Sequence, residues 1–154
     1  VLDINLRPPF FDAELIRDSI QLASMLKLSD DELPEVVSAC GIPLSDRPND
    51  LLRGLLSFGD LDSVVMTRGA AGAVLVTADT IIDQSGIPAT VVDTVGAGDA
   101  FTAAFLIGVL GGGLRGQWHS AQQNKTHEDT LRTACEVAAV ACSHPGAVPA
   151  PTEH

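Results

Sequence analysis

The sequence has 154 residues, 45% of them hydrophobic, which predicts one domain with a buried core of ordinary size. Its formal net charge of -11 argues against nucleic acid or an anionic membrane surface as a partner, because few basic side chains are available to neutralise phosphates. No apolar run approaches the roughly 20 residues of a membrane span, and the start shows no secretory leader pattern, so we expect a cytoplasmic protein.

The first predicted elements are a strand and an amphipathic helix. Val1–Leu6 alternates apolar and polar residues until Pro8–Pro9 stops the pattern, which is typical of a strand. This strand begins without an initiator Met, so we expect the protein to start upstream of this sequence. Apolar residues at helical spacing then predict a helix over Phe11–Leu26, with Asp12 as its N-cap.

A second helix is predicted after Ser29, where an S-x-x-E pattern ends at Glu32. This pattern is typical of a capping box, in which serine and glutamate bond each other's backbone N–H, and the helix would run to about Cys40. The later predicted elements are a helix at Leu51–Phe58, strands at Ser63–Thr67, Ala73–Thr77 and Thr80–Asp83, and helices at Asp99–Leu110 and Thr130–Ser143.

The cysteines and histidines form no metal-ligand or redox pattern. Cys40, Cys135 and Cys142 are odd in number and lack C-x-x-C spacing, which predicts buried reduced thiols rather than disulfides or zinc ligands. His119 lies in a polar, Gln-rich segment, Leu114–Thr126, that is predicted to be an exposed loop. Lone histidines such as His119 and His127 are usually structural or solvated, so we expect no chemical role for either.

The most informative stretch is Asp93–Phe101, which reads D-T-V-G-A-G-D-A-F. A β-branched run, Thr90–Val92, precedes it and an apolar run follows, so we predict a strand, a tight glycine turn and a helix. The N–H groups of Ala97, Gly98 and Asp99 would be unpaired at the helix start and form an anion pocket. A carboxylate at its rim suits removal of a proton from a hydroxyl that attacks a phosphoryl group, while the N–H groups stabilise the developing charge.

Other motif classes fit this stretch less well. The dinucleotide fingerprint G-x-G-x-x-G/A would require a small residue at Phe101 and would place Asp99 against the pyrophosphate. A Walker A loop needs a lysine, and none stands between Lys27 and Lys125. An intramembrane aspartyl protease carries G-x-G-D but requires membrane helices. The stretch alone leaves open a plain glycine turn in which Asp99 only caps the helix.

Four stretches together resemble the PfkB, or ribokinase-like, carbohydrate kinases, in particular their fructokinase-like branch. Asp93–Phe101 resembles the family's second signature. Asp3–Arg7 resembles its D-x-N-x-R strand, Thr67–Gly72 its T-x-G-x-x-G and Cys142–Ala147 its closing C/T-x-x-P-G-A, all in the family's order. The family commonly has N-x-x-E where this chain has Ser29–Glu32, so a serine replaces the asparagine.

The resemblance implies an α/β, ribokinase-like fold with a central, mostly parallel sheet flanked by helices. Residues 1–154 would be the nucleotide-binding C-terminal half, preceded by an N-terminal half that binds the sugar and carries the lid. The implied activity is ATP-dependent phosphorylation of a sugar hydroxyl, with fructose as first candidate and with Mg²⁺ and a monovalent cation such as K⁺. This half alone would be inactive, and any homodimer would form through the preceding half.

Two alternatives to this function remain open. A kinase of the same family could act on ribose, 2-keto-3-deoxygluconate or a nucleoside, because the residues that bind the acceptor would lie mainly in the preceding half. A non-catalytic nucleotide-binding or assembly module would need no acceptor site at all.

The resemblance also implies roles at the catalytic positions. Asp99 would be the base that deprotonates the sugar hydroxyl. The N–H groups of Gly96, Ala97 and Gly98 would form the anion hole for the migrating γ-phosphoryl group.

Further implied roles concern the nucleotide and the cations. Thr67, Gly69 and Gly72 would line the ATP site, where the glycines let the backbone approach the nucleotide. Arg7 would reach toward substrate or phosphate, and Glu32 would influence Mg²⁺ and phosphate. The oxygen ligands of the monovalent cation would come from Asp93, Val95, Ser143 and Gly146.

Overall fold

The structure is a computed structural model that describes residues 1–111 and 121–146. The chain divides into two compact units. The first comprises Val1–Gly69 with Ala73–Asp83, and the second comprises Ala70–Gly72 with the described residues from Gln84 onward. Each unit is compact by itself, whereas the length of the sequence predicts a single domain.

A five-stranded sheet forms the centre of the first unit. β1, β2 and β3 run parallel, and Leu26 of β2 pairs with Leu2 on one side and Val64 on the other. β4 runs antiparallel to β3, and both strands are almost continuously apolar because they are buried. The order of the strands in the sheet repeats their order in the chain: β1 (Leu2–Asp3), β2 (Met25–Ser29), β3 (Ser63–Thr67), β4 (Ala73–Thr77) and β5 (Ile81–Gln84).

Three helices share one apolar core with these strands. They are α1 (Ala13–Gln21), α2 (Leu33–Ala39) and α3 (Pro48–Phe58). The predicted N-cap of α1 is confirmed, since an Asp12 carboxylate oxygen accepts from Leu15 N at 2.8 Å. The predicted end of α3 is also confirmed, with Gly59 as its C-cap.

Two predictions in this unit need correction, one in the type of element and one in its length. The predicted first helix continues to Leu26, but α1 ends at Gln21 and the chain enters β2 at Met25. Pairing with a strand on each side decides the conformation there, overriding an apolar spacing that also fits a helix. The predicted strand at Val1–Leu6 keeps only two residues as β1, although Ile4 N still donates to Lys27 O at 3.0 Å.

The second unit contains the two longest helices described, α4 (Ala97–Gly111) and α5 (Ala121–Cys142). Phe101 and Phe105 of α4 are buried and stack with ring centroids 6.0 Å apart. Gly108 of α4 approaches Thr130 of α5 so closely that a Cβ at Gly108 would lie 2.5 Å from Thr130 Cγ2. A glycine is therefore needed where these helices meet.

Three predictions in the second unit need correction or fall outside the description. α5 starts well before the predicted Thr130, so residues 121–126 are helical rather than loop. The predicted strand at Thr90–Val92 does not form, and Val92 N donates instead to Cys142 O at 2.8 Å. His119 lies outside the described residues, whereas His127 is fully buried in α5.

The three cysteines are reduced thiols outside any disulfide, as predicted. Cys135 is buried, while Cys40 and Cys142 are half-buried. Across the described ranges, no helix is both long enough and apolar enough to cross a membrane.

Candidate functional site

The carboxyl ends of β1, β2 and β3 lie at one edge of the sheet because the three strands are parallel. Ligands of open α/β sheets commonly bind at this edge. Three residues to which the family resemblance gives a role at nucleotide or phosphate lie at or just beyond a strand end here: Arg7, Glu32 and Thr67. The structure therefore places them on one edge of the first unit. Arg7 is exposed, and its carbonyl accepts from Phe10 N at 2.8 Å.

Glu32 holds two of these strand ends together. Its Oε1 accepts from Leu6 N at 2.7 Å, and its Oε2 accepts from Ser29 N at 2.8 Å and from Ser29 Oγ at 2.9 Å. The predicted capping box is thus wrong in part: Ser29 closes β2, α2 begins at Leu33, and the serine hydroxyl donates to Glu32 rather than capping the helix. The S-x-x-E pattern of a capping box is present, but Ser29 pairs with Thr67 of β3 and so belongs to a strand.

Thr67 is connected to the loop that follows β2. Asp30 N donates to Thr67 O at 2.9 Å, and Thr67 Oγ1 donates to Leu28 O at a long 3.4 Å. The residue after it, Arg68, forms a two-point ion pair with Asp83, the shorter N···O distance being 2.6 Å. The position of Thr67 is therefore set by contacts to β2 and, through its neighbour, to β5.

The two glycines predicted to approach ATP differ in their surroundings. Gly69 has φ +52° and open space where a Cβ would stand, which leaves room for a ligand on that side. Gly72 has φ +97°, and a Cβ there would overlap Gln84 O and lie 2.6 Å from Gly86 N. A Cβ at Gly86 would likewise overlap Ala70 O. The structure thus explains Gly72 by a crossing of two backbone segments rather than by an approach to nucleotide.

Asp93 organises the loop that leads into α4. Its Oδ1 accepts from Val95 N and its Oδ2 accepts from Gly146 N, both at 3.0 Å. Hydrogen bonds from the backbone N–H groups of Val95, Gly146 and Thr94 hold the pKa of Asp93 below its usual range, because they stabilise the ionised form. One carboxylate therefore ties the loop before α4 to the segment after α5.

The turn into α4 contains Gly96 with φ +80°, a conformation that favours glycine. Ala97 N donates to Thr94 O at 3.2 Å, so this N–H is not unpaired as the sequence predicts. The N–H groups of Gly98 and Asp99 lie in the first turn of α4, where the helix offers them no partner. The anion pocket is therefore smaller by one donor than predicted.

Asp99 lies in that first turn with its side chain exposed. Within the described part of the chain, nothing is bonded to its carboxylate. The residue is thus not a bonded cap of α4, although an acidic residue at this position favours the helix dipole. A carboxylate without a partner beside unpaired N–H groups can accept a proton from an incoming hydroxyl.

The four positions assigned to a monovalent cation lie in the second unit. Asp93 brings Val95 and Gly146 together, whereas the Ser143 hydroxyl donates to Ala139 O at 2.9 Å. Carboxylate and backbone carbonyl oxygens are ligands that hard cations take, so this donor set fits such an ion. In the described ranges, no cluster of three or more His, Cys, Asp or Glu side chains is present.

Sequence reasoning missed three residues that shape these loops. Asn5 has φ +40° just after β1, Asp83 pairs with Arg68, and Gly86 allows the backbone crossing at Gly72. The alternating pattern over β1 concealed the bend at Asn5. The partners of Asp83 and Gly86 lie more than ten residues earlier in the chain, beyond the reach of local patterns.

Comparison with known proteins finds a family model that matches nearly the whole chain. The family model described as pfkB family carbohydrate kinase matches residues 2–153. Ribokinase from Arabidopsis thaliana is 39% identical over 88 residues, which are 56% of this chain and 20% of that protein.

Two solved structures resemble the fold closely. Aminoimidazole riboside kinase from Salmonella enterica, complexed with aminoimidazole riboside and an ATP analogue, has 30% identity and a TM-score of 0.71, covering 94% of this chain and 46% of that chain. A fructokinase double mutant from Vibrio cholerae, bound to fructose, ADP and a potassium ion, has 26% identity and a TM-score of 0.73, covering 94% and 44%. The chain spans at most about half the length of these proteins.

Proposed function

Because this chain belongs to the pfkB family of carbohydrate kinases, we propose that it forms the nucleotide-binding half of an enzyme that phosphorylates a sugar hydroxyl with ATP. The observation that carries the proposal is the start of α4. There a positive-φ glycine turn presents N–H groups without helical partners, and beside them lies Asp99, whose carboxylate is bonded to nothing in the described part of the chain. Phosphoryl transfer needs this combination of an anion pocket and a base.

The proposed roles at the reacting centre follow from these groups. Asp99 takes the proton of the sugar hydroxyl as its oxygen attacks the γ-phosphorus of ATP, and the bond to the β,γ-bridging oxygen breaks. The N–H groups of Gly96 and Gly98 donate to the equatorial oxygens of the migrating group. Ala97 is left out of this set because its N–H donates to Thr94 O.

Nucleotide and cation sites complete the proposal. Thr67 and Gly69 contact the nucleotide, and Arg7 reaches a phosphate from the end of β1. The carboxylate of Asp93 and the backbone oxygens at Val95, Ser143 and Gly146 would hold a monovalent cation such as K⁺. When bound with ATP, Mg²⁺ supplies neutralisation of the phosphate charge.

Fructose is the first candidate acceptor. The D-I-N-L-R stretch at Asp3–Arg7 and the C-S-H-P-G-A stretch at Cys142–Ala147 favour the fructokinase-like branch. The similar proteins described above act, by their names, on ribose, aminoimidazole riboside and fructose, so all three acceptors belong in the test.

The experiment is a phosphoryl-transfer assay of the complete protein with each acceptor, comparing wild type with Asp99→Asn. We expect kcat to fall by roughly 10²–10⁴-fold with little change in nucleotide affinity, because the amide cannot take the proton. Asp46→Asn, at an exposed position outside the proposed site, is the matched control. Normal turnover in Asp99→Asn would contradict the base assignment. A wild-type protein that binds ATP but phosphorylates no acceptor would instead be a nucleotide-binding module.

A second assay tests the cation site separately. We expect replacement of K⁺ by a bulky organic cation to lower the rate or the nucleotide affinity, and Asp93→Asn to abolish this dependence on K⁺. Equal kinetics with and without K⁺ would remove the cation from the proposal and leave the base assignment standing.

A further inference from the structure

The carboxylate of Glu32 is almost fully engaged by the protein itself. It accepts three hydrogen bonds, from Leu6 N, Ser29 N and Ser29 Oγ, at distances from 2.7 to 2.9 Å. A carboxylate offers about four lone-pair positions, so roughly one remains free. All three donors belong to the first unit, and two of them are backbone groups that cannot turn away. Glu32 is therefore poorly placed to be a direct ligand of a metal ion.

The bond to Leu6 N replaces strand pairing at the end of β1. The registered pairs of β1 with β2 are Leu2 with Leu26 and Asp3 with Lys27. Two residues later Asn5 has φ +40°, which turns the chain away from the sheet. Leu6 N thus finds its acceptor in a side chain 26 residues further along the chain. The backbone that enters Arg7 is held in place by Glu32.

Ser29 fixes the direction of this carboxylate. Its backbone N–H and its hydroxyl both donate to Oε2, which leaves Oε1 aimed at Leu6 N. The loop that contains Glu32 is itself tied to β3, because Asp30 N donates to Thr67 O at 2.9 Å. The contacts of Glu32 therefore run from the end of β2 toward the end of β1, where Arg7 begins.

We propose that Glu32 is a positioning residue for Arg7, which it serves by holding the Leu6 amide, and that it does not ligate the metal ion that accompanies ATP. The proposal rests on the proposed function, in which Arg7 contacts a phosphate. It explains why serine can stand at position 29: the serine hydroxyl orients the carboxylate, and no amide side chain is needed for that task.

A double-mutant cycle in the complete protein tests this inference, using Glu32→Gln, Arg7→Ala and the double variant. We expect Glu32→Gln to raise the KM for ATP by about tenfold, because the amide cannot accept all three hydrogen bonds. If Glu32 acts through Arg7, the double variant will match Arg7→Ala within about twofold. Multiplied losses in the double variant, or wild-type kinetics in Arg7→Ala, would overturn the inference.

The dependence on Mg²⁺ is the readout that a metal ligand would change. At saturating ATP, we expect Glu32→Gln to need the same Mg²⁺ concentration for half-maximal rate as the wild type. A tenfold increase in that concentration would show Glu32 acting on the metal and would overturn the inference. Glu35→Gln, the same substitution at an exposed position on α2, is the matched control for loss of one negative charge.

Two further measurements cover the remaining cases. If Glu32→Gln fails to fold, Ser29→Ala takes its place, because it removes only the hydroxyl donor to Glu32. We expect Ser29→Ala to raise the KM for ATP less than tenfold, and to raise it no further when Arg7→Ala is already present. A rise that persists in the Arg7→Ala background would overturn the inference. If the wild type transfers no phosphoryl group, the proposed function fails by itself. Amide hydrogen exchange then tests the structural part of the inference by itself. Faster exchange at Leu6 in whichever variant folds supports the hold of Glu32 on the Leu6 amide, and unchanged exchange overturns it.

Discussion

The loop before α4 depends on the charge of Asp93. Its folded-state pKa is lowered, so the folded state binds fewer protons there than the unfolded state at acid pH. The stabilisation is therefore complete above the ordinary pKa of 3.8 and is lost as pH falls through the lowered folded value. At neutral pH the carboxylate of Asp93 is ionised, and its hydrogen bond from Gly146 N contributes its full stabilisation.

We accordingly predict that Asp93→Asn lowers the urea midpoint of unfolding at pH 7. An Asn side chain has one acceptor oxygen, so it cannot serve both Val95 N and Gly146 N. The difference from wild type should shrink as pH falls below about 4, where the native carboxyl group also becomes neutral. Asp46→Asn is the control, and a difference that stays constant down to the acid end would contradict the prediction.

His127 makes the stability of the protein depend on pH for a second reason, because it is a buried base rather than a hydrogen-bonded acid. It is fully buried in α5, and burial lowers its pKa from the ordinary 6.5 because the charged ring would lose its hydration. At acid pH the imidazole of His127 therefore binds a proton in the unfolded chain but not in the folded chain. The free energy of unfolding consequently falls as the pH drops below 6.5.

Urea unfolding of wild type and His127→Gln between about pH 7 and pH 5 measures this effect. We expect the wild type to lose more unfolding free energy over that interval than the variant does. His144→Gln, which changes an exposed histidine, should keep the wild-type dependence on pH. Identical curves for wild type and His127→Gln would mean that another group causes any acid sensitivity.

Some features of the candidate site depend on neighbouring residues in the sequence, and others depend on contacts between residues far apart in the sequence. The glycine turn at Gly96 and the helix start near Asp99 could be predicted from sequence because both are local features. Glu32 was assigned to phosphate and Mg²⁺ by resemblance, but its bond to Leu6 N joins residues 26 positions apart. Ala97 was assigned to the anion pocket, and the bond to Thr94 O that occupies it depends on how the turn closes.

At the scale of elements, helix α4 meets helix α5 at a contact that excludes side chains. A methyl group at Gly108 would lie 2.5 Å from Thr130 Cγ2 and 2.8 Å from Thr130 Oγ1, and Thr130 is itself buried. Overpacking of this kind costs about 1–3 kcal/mol, against about 1 kcal/mol gained from replacing a helical glycine.

We therefore predict that Gly108→Ala lowers the free energy of unfolding by up to about 2 kcal/mol, measured in urea. Adding Thr130→Ala should restore most of this loss, because the second change removes the atoms that collide. A double variant that is less stable than Gly108→Ala would show that the contact with Thr130 is not the cause.

The elements were predicted best where one pattern fits one structure. The buried strand β3 was predicted to the residue, since its apolar run is short and bounded. β2 was missed because Leu26 continues the helical spacing of α1, and only pairing with β1 and β3 distinguishes strand from helix there. The Thr90–Val92 run has β-branched residues, but Val92 N bonds Cys142 O instead of a strand.

At the scale of the whole molecule, a net charge of -11 surrounds a site proposed for a polyanion. Long-range repulsion should slow the approach of ATP, and salt screens it with a Debye length of about 10 Å at 0.1 M. We predict that raising ionic strength from about 20 to 200 mM leaves the association rate constant unchanged or increases it up to threefold. Stopped-flow measurements with a fluorescent nucleotide check this, and a tenfold decrease would reveal a locally basic entrance.

The fold as a whole was predictable because four motifs occur in one order along the chain. The acceptor was not predictable, since the relatives share these motifs and differ in the substrate that their names give. The division into two compact units was also not predicted from the sequence, whose length indicates one domain. The close approach of Gly72 and Gly86 belongs to the second unit, although Gly72 directly precedes β4 of the first unit. The composition of the sequence does not change at this boundary.

The sequential order of the strands in the sheet has a consequence for synthesis of the protein. Because β1, β2, β3, β4 and β5 each pair with the next strand along the chain, no strand needs a partner made much later. The sheet can therefore grow in the direction in which the ribosome extends the chain, and β4 can close on β3 after only five further residues. Domains that assemble in this way expose few unpaired strand edges at any moment during their production.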